Sequence, residues 1–158
     1  KVYEARENGS AKVTIWGTGA PRREFLYCED LADACIFLME RNDELLANCA
    51  GRPPFINVGC GTDLSILELA EVIREVVGYD GDFEFDVSKP DGTPIKRLDV
   101  TRLTDFGWRP KVSLRDGIRR AYADFLCRVE APAPVPVGVP VQLPALCAPD
   151  PAVACAAT

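Results

Sequence analysis

Histidine is absent from this 158-residue chain. That removes the commonest zinc ligand and the commonest general base. Cysteine is present seven times, at 28, 35, 49, 60, 127, 147 and 155, but there is no CxxC pair and no metal-ligand spacing. Most of these thiols therefore read as small buried hydrophobes in a reducing compartment, which points to the cytoplasm. No apolar run reaches the ~18 residues of a membrane span, and no leader is legible, so no membrane association is expected. An excess of positive charge is lacking too: the net charge is −6, which argues against nucleic acid as a partner. Finally, no glycine-rich phosphate fingerprint follows a strand. Gly17-Thr18-Gly19 runs into Pro21-Arg22-Arg23 instead of a helix.

What is present divides sharply near Glu130. Seven of the 13 prolines lie in residues 131–158, where Asp150 is the only charged side chain. That stretch reads as a disordered, polyproline-like tail. Residues 1–130 hold 18 basic and 23 acidic side chains and form the folded candidate. The opening Lys1-Val2-Tyr3-Glu4 reads as a helix entered partway and ended by Asn8-Gly9. Lys12-Val13-Thr14-Ile15-Trp16 alternates as a strand, and Arg23 to Tyr27 is a second extended piece. A helix follows from Glu29-Asp30, with Leu31, Ala34, Cys35 and Leu38 at helical spacing. Residues 41–54 read as a polar connection, and Phe55-Ile56-Asn57-Val58 as a short buried strand. Ser65-Ile66-Leu67-Glu68 is a capping box, opening a helix that buries Ile66, Leu69, Ala70, Ile73 and Val76-Val77 before Gly78. Phe83 to Asp86 is a strand, 88–94 a loop and 99–106 a short helix. Ser113 caps a last helix with an apolar stripe of Leu114, Ile118, Ala121, Tyr122 and Phe125. The fold class is α/β, in the form of an α+β lobe with too few strands for a doubly wound cofactor sheet.

Two stretches concentrate chemistry. In the first, a strand delivers Trp16, a glycine loop reverses the chain, and Arg23 returns on the next strand. An indole face beside a forked guanidinium suits a nucleotide diphosphate. Equally, Trp16 can be strand packing and Arg23 the ion-pair partner of Glu24 or Asp30. In the second, Ser88-Lys89-Pro90-Asp91-Gly92-Thr93-Pro94-Ile95-Lys96-Arg97, prolines stiffen a loop whose Lys89, Lys96 and Arg97 can neutralise phosphate. Asp91 can accept from a ribose or base. The alternative is a solvated turn.

Arg23-Glu24-Phe25-Leu26-Tyr27-Cys28-Glu29-Asp30-Leu31-Ala32, Asn57-Val58-Gly59, Leu98 to Leu103 and Gly107-Trp108-Arg109-Pro110 together resemble the carboxy-terminal region of extended short-chain dehydrogenases. Trp16 with Pro21-x-Arg23-Glu24, combined with residues 88–94, resembles more narrowly the GDP-L-fucose synthase family. These are NADPH-dependent epimerase-reductases acting on GDP-4-keto-6-deoxy-D-mannose. The resemblance covers residues 1–127. It implies a substrate-binding lobe in which Trp16 and Arg23 contact the GDP part, Asp91 lies in a loop touching substrate, Lys96 meets phosphate and Lys1 is a further basic contact. It implies a homodimer for the intact family, with contacts largely outside this chain. The family's amino-terminal half would supply the cofactor loop, the Ser and Tyr-x-x-x-Lys of reduction, and the Cys and His of epimerisation. None of Tyr3, Tyr27, Tyr79 or Tyr122 has Lys four residues on. NADPH is thus expected in the intact enzyme and no cofactor on this chain, which reads as a part inactive alone. Cys28-Glu29, Cys60 and Ile95 depart from the family's usual residues. The alternatives are another nucleotide-sugar epimerase or dehydratase, and a non-catalytic GDP-sugar-binding or interaction module.

Overall fold

A computed structural model describes residues 1–47 and 55–130. In order these form α1 (Val2–Glu7), β1 (Lys12–Trp16), β2 (Arg22–Arg23), α2 (Cys28–Met39) and α3 (Asn42–Ala47). There follow β3 (Leu64–Ser65), α4 (Ile66–Val77), β4 (Asp82–Asp86), β5 (Ile95–Lys96), α5 (Thr101–Asp105) and α6 (Leu114–Glu130). β1 and β4 pair in parallel from Lys12 opposite Asp82 to Trp16 opposite Asp86. β2 lies between β3, antiparallel to it, and β5, parallel to it. This is the mixed α/β architecture read from the sequence, with two small sheets among helices. The reading of a tail beyond Glu130 lies outside the described residues, as do Cys49, Cys147 and Cys155. Among the described residues no helix is long and apolar enough to cross a membrane.

Two clusters hold the elements together. Ala5, Val13, Val77 and Tyr79 are buried with Val2, Ile73, Phe83 and Tyr122 packed on them, joining α1, β1, α4, β4 and α6. The Tyr79 hydroxyl donates to the Ser10 carbonyl at 2.9 Å, so its polar end is satisfied where its ring is buried. The second cluster is Ala34, Leu103 and Trp108, with Leu26, Phe37, Leu38, Ile56 and Val58 around it. α4 starts as its capping box dictates. The Ser65 hydroxyl accepts from the Glu68 N–H at 3.1 Å, and the Glu68 carboxylate accepts from the Ser65 N–H at 2.6 Å.

The inward face of α2 differs from the stripe of apolar residues in the sequence. Asp30, Ala34, Phe37 and Leu38 face inward, whereas Leu31 and Cys35 are exposed. The cause is polar. Buried Asp30 accepts from the Lys111 and Val112 N–H groups at 3.2 and 2.9 Å, and Asp33 accepts from the Trp108 indole at 2.8 Å. Those bonds fix the rotation of the helix and leave Cys28 and Cys35 outside. With Cys127 exposed and Cys60 only half-buried, the expectation of buried thiols fails for the described cysteines.

Residues 55–58 form no strand and pair with none among the described residues, and Phe55 is exposed. The Phe55 carbonyl is taken by the Arg102 side chain at 2.7 Å, and the Asn57 amide donates to the Asp99 carbonyl at 3.0 Å. Residues 42–47, read as connection, form α3, whose Asp43 and Glu44 suit the positive end of a helix. In α6, Leu114, Ile118 and Tyr122 are half-buried, but Ala121 and Phe125 remain exposed.

Candidate functional site

Parallel pairing brings the carboxyl ends of β1 and β4 side by side, and the two loops rich in chemistry leave from there. In parallel sheets such ends are where ligands gather. The Asp86 carbonyl ties the loops at their base, accepting from the Gly17 N–H at 2.9 Å and the Lys89 N–H at 3.2 Å. Gly17 has φ 80°, and a Cβ placed there would lie 2.2 Å from Asp91 Oδ1. Only glycine fits that turn and that approach.

Trp16 ends β1 and is 66% exposed, so it is not strand packing. Two ammonium groups flank it: Lys1 Nζ lies 5.5 Å and Lys89 Nζ 5.9 Å from the ring centroid. Both are within cation–π range. Arg23 is not the partner of Glu24 or Asp30. The Glu24 carboxylate accepts from the Gly61 and Leu98 N–H groups at 2.6 and 2.8 Å, and Asp30 is held as described. The Arg23 guanidinium instead donates to the Arg22 carbonyl at 2.7 Å and keeps its charge unneutralised by any carboxylate among the described residues.

Strand alternation sorts the remaining cations. Arg22 on β2 and Arg97 just beyond β5 converge on one buried carboxylate, Asp63, at 2.5 and 3.3 Å. Arg97, read as a phosphate neutraliser, is thus a structural ion-pair member. Arg23 stands opposite Lys96 in the parallel register. Lys96 is exposed and has no ion pair among the described residues. Arg23, Lys89 and Lys96 therefore offer positive charge without an internal counter-ion, which is what an anion-binding surface requires.

Asp91 sits elsewhere in this arrangement than a free acceptor would. Its two oxygens take the Thr18 N–H at 2.6 Å and the Thr18 hydroxyl at 2.7 Å. The Thr18 backbone and then side-chain hydrogen bonds hold the Asp91 carboxyl below its ordinary value. Thr18 was not singled out by sequence, because a threonine between two glycines carries no signal of its partner 73 residues away. Asp63, the sink for two arginines, was likewise invisible. Among the described residues no group of three His, Cys, Asp or Glu could hold a metal ion.

Residues 1–59 match the NAD dependent epimerase/dehydratase family. GDP-L-fucose synthase 1 from Arabidopsis thaliana is 46% identical over 82% of this chain. The match takes in only 38% of that relative, so the chain spans well under half of the relative's length. Among solved structures, a GDP-6-OMe-4-keto-L-xylo-heptose reductase from C. jejuni is 36% identical, with a TM-score of 0.68 over 74% of this chain and 34% of that one. A GDP-D-glycero-L-gluco-heptose synthase from Campylobacter jejuni, determined in the presence of NADPH, is 33% identical, with a TM-score of 0.65 over 78% of this chain and 37% of that one. By sequence and by fold, the chain resembles a part of GDP-L-fucose synthase, and its residues 1–59 match the NAD dependent epimerase/dehydratase family.

Proposed function

We propose that these residues hold the GDP end of a GDP-sugar in an enzyme of the GDP-L-fucose synthase kind. That enzyme would convert GDP-4-keto-6-deoxy-D-mannose to GDP-L-fucose by epimerisation and NADPH-dependent reduction. The observation carrying the reading is the trio Arg23, Lys89 and Lys96, without carboxylate partners among the described residues, together with an exposed Trp16 ring that Lys89 flanks. Trp16 offers a flat wall for a base or ribose. Arg23 and Lys96 meet the diphosphate, Lys1 and Lys89 reinforce the positive field, and Asp91 lies in the loop alongside. Holding the nucleotide lets binding energy remote from the reacting carbon orient the sugar.

NADPH does not fit the residues of this chain. Gly17-Thr18-Gly19 leads into β2 instead of a helix amino end, and no Tyr-x-x-x-Lys is present. The hydride chemistry that NADPH supplies thus needs residues beyond these, and the role here is positioning. The whole protein is read as a cytoplasmic homodimer whose subunit contacts lie largely outside the present residues. A neighbouring reading, action on another GDP-sugar, is favoured by the two GDP-heptose proteins of similar structure. It shares the GDP end and differs in the sugar.

Calorimetric titration at low salt tests the reading. GDP should bind more tightly than guanosine or UDP, and Arg23→Ala should weaken GDP by roughly tenfold or more, the worth of a charge-assisted hydrogen bond. Equal or tighter binding of UDP would overturn the GDP assignment. Mixing the chain with GDP-sugar and NADPH should leave absorbance at the nicotinamide band unchanged; turnover would overturn the positioning role.

A further inference from the structure

Arg23 and Lys96 stand opposite each other in a parallel ribbon whose strands are only two residues long. Neighbouring strands lie about 4.8 Å apart, and like charges directly opposite push such a pair apart. A ribbon this short has few rungs to resist with. The Arg22 N–H donates to the Pro94 carbonyl at 2.7 Å and the Glu24 N–H to the Lys96 carbonyl at 3.3 Å. The next rung of a parallel ladder would draw on the Leu98 N–H. The Glu24 carboxylate takes that donor at 2.8 Å, and its other oxygen takes the Gly61 N–H at 2.6 Å. One side chain thereby joins the strand of Arg23, the strand of Lys96 and segment 59–61.

The surroundings are shaped to this contact. Gly59 approaches the carboxylate so closely that a Cβ there would lie 2.4 Å from Oε1. Strand alternation turns Glu24 to the face opposite Arg23. Its charge is met by fixed backbone donors instead of by the neighbouring cations, which stay available to an anion.

We propose that Glu24 is a positioning residue: it clamps β2 to β5 from the far face, so that Arg23 and Lys96 meet adjacent phosphates and bind a diphosphate as a pair. It acts through those two side chains. The inference deepens the GDP reading and rests on it for the nucleotide, while the clamp itself concerns the diphosphate alone.

The full chain is titrated at low salt with inorganic pyrophosphate, which can span both cations, and with inorganic phosphate, which meets them one at a time. Shifts in NMR spectra give both dissociation constants. Glu24→Gln keeps one acceptor and sets an amide donor against the other N–H. Gly59→Ala displaces the carboxylate without altering any charge. Each variant should weaken pyrophosphate by roughly tenfold, the worth of a charge-assisted hydrogen bond, and phosphate by less than about twofold. A merely destabilised chain loses both ligands by the same factor. A Glu24 that mattered only as a negative charge would, on becoming Gln, tighten both. Equal losses, tightening of both, or an unchanged ratio in either variant would overturn the clamp, as would a wild-type chain that does not bind pyrophosphate.

The Gly61 and Leu98 amide protons give a check without ligand. Both should resonate downfield in wild type and move upfield together in each variant; if they stay in place, the clamp fails. The nucleotide separates this inference from the reading beneath it. If GDP binds no more tightly than UDP while the pyrophosphate losses hold, the GDP reading fails and the clamp stands. If GDP is preferred but the pyrophosphate-to-phosphate ratio does not move, only the clamp fails.

Discussion

Arg22 and Arg23 are chemically identical neighbours with opposite duties. Arg22 is raised above its usual value chiefly by its hydrogen bond to Asp63, and its work is internal. Among the described residues Arg23 donates to a backbone carbonyl and makes no ion pair. Exchanging them should separate stability from binding. Arg22→Ala should lower the melting temperature and leave GDP affinity nearly intact, whereas Arg23→Ala should do the reverse; paired melting and calorimetric curves check this. Asp30 gives a second case. It is 3% exposed and accepts from two backbone N–H groups. Asp30→Ala leaves those donors unpaired and should cost about 1–3 kcal/mol in urea unfolding.

At the scale of elements, α4 is the one whose start, face and stop were all readable. Ser65 and Glu68 sit three apart, the apolar residues keep helical spacing, and Gly78 closes it in the left-handed region with φ 70°. Ser65→Ala should therefore cost ~1 kcal/mol, read from urea midpoints. β1 and β4 were legible for a similar reason, since alternation is local. What escaped reading depended on distant partners. The face of α2 is set by backbone donors at 111 and 112, and residues 55–58 spend their polar groups on Arg102 and Asp99 instead of a neighbouring strand. The same holds for the site. Trp16, Arg23 and Lys96 could be named from residue type and resemblance, but the link between Thr18 and Asp91 and the capture of Arg22 and Arg97 by Asp63 exist only once the chain is folded.

For the molecule as a whole, acid sensitivity follows from its carboxylates. Asp33, Glu68, Asp91, Asp99 and Asp116 are all held below their ordinary values, first by Lys111 for Asp33, by Ser65 for Glu68, by Thr18 for Asp91, by Thr101 for Asp99 and by Ser113 for Asp116. A depressed carboxylate stabilises fully above its unfolded value and loses that contribution as pH falls through its folded one. Stability should thus be level from neutral pH down to about 4 and decline below it, as urea midpoints across pH will record. The outer side of α2 has another consequence. Ile36 and Met39 are 58% and 76% exposed. Ile36→Lys with Met39→Lys should leave stability within about 0.5 kcal/mol while reducing self-association in light scattering. Asp63, finally, bears on the charge the chain presents to anions. The whole carries a charge of −6, so phosphate is attracted only where cations are left unmatched. By occupying two arginines, with Glu68 as a second partner of Arg22, this acid confines that attraction to a single side of the β2–β5 ribbon. Asp63→Asn would release Arg97 and leave Arg22 with Glu68 alone, giving the ribbon a second attractive side. The chain would then gain affinity for polyanions in general and lose discrimination among them.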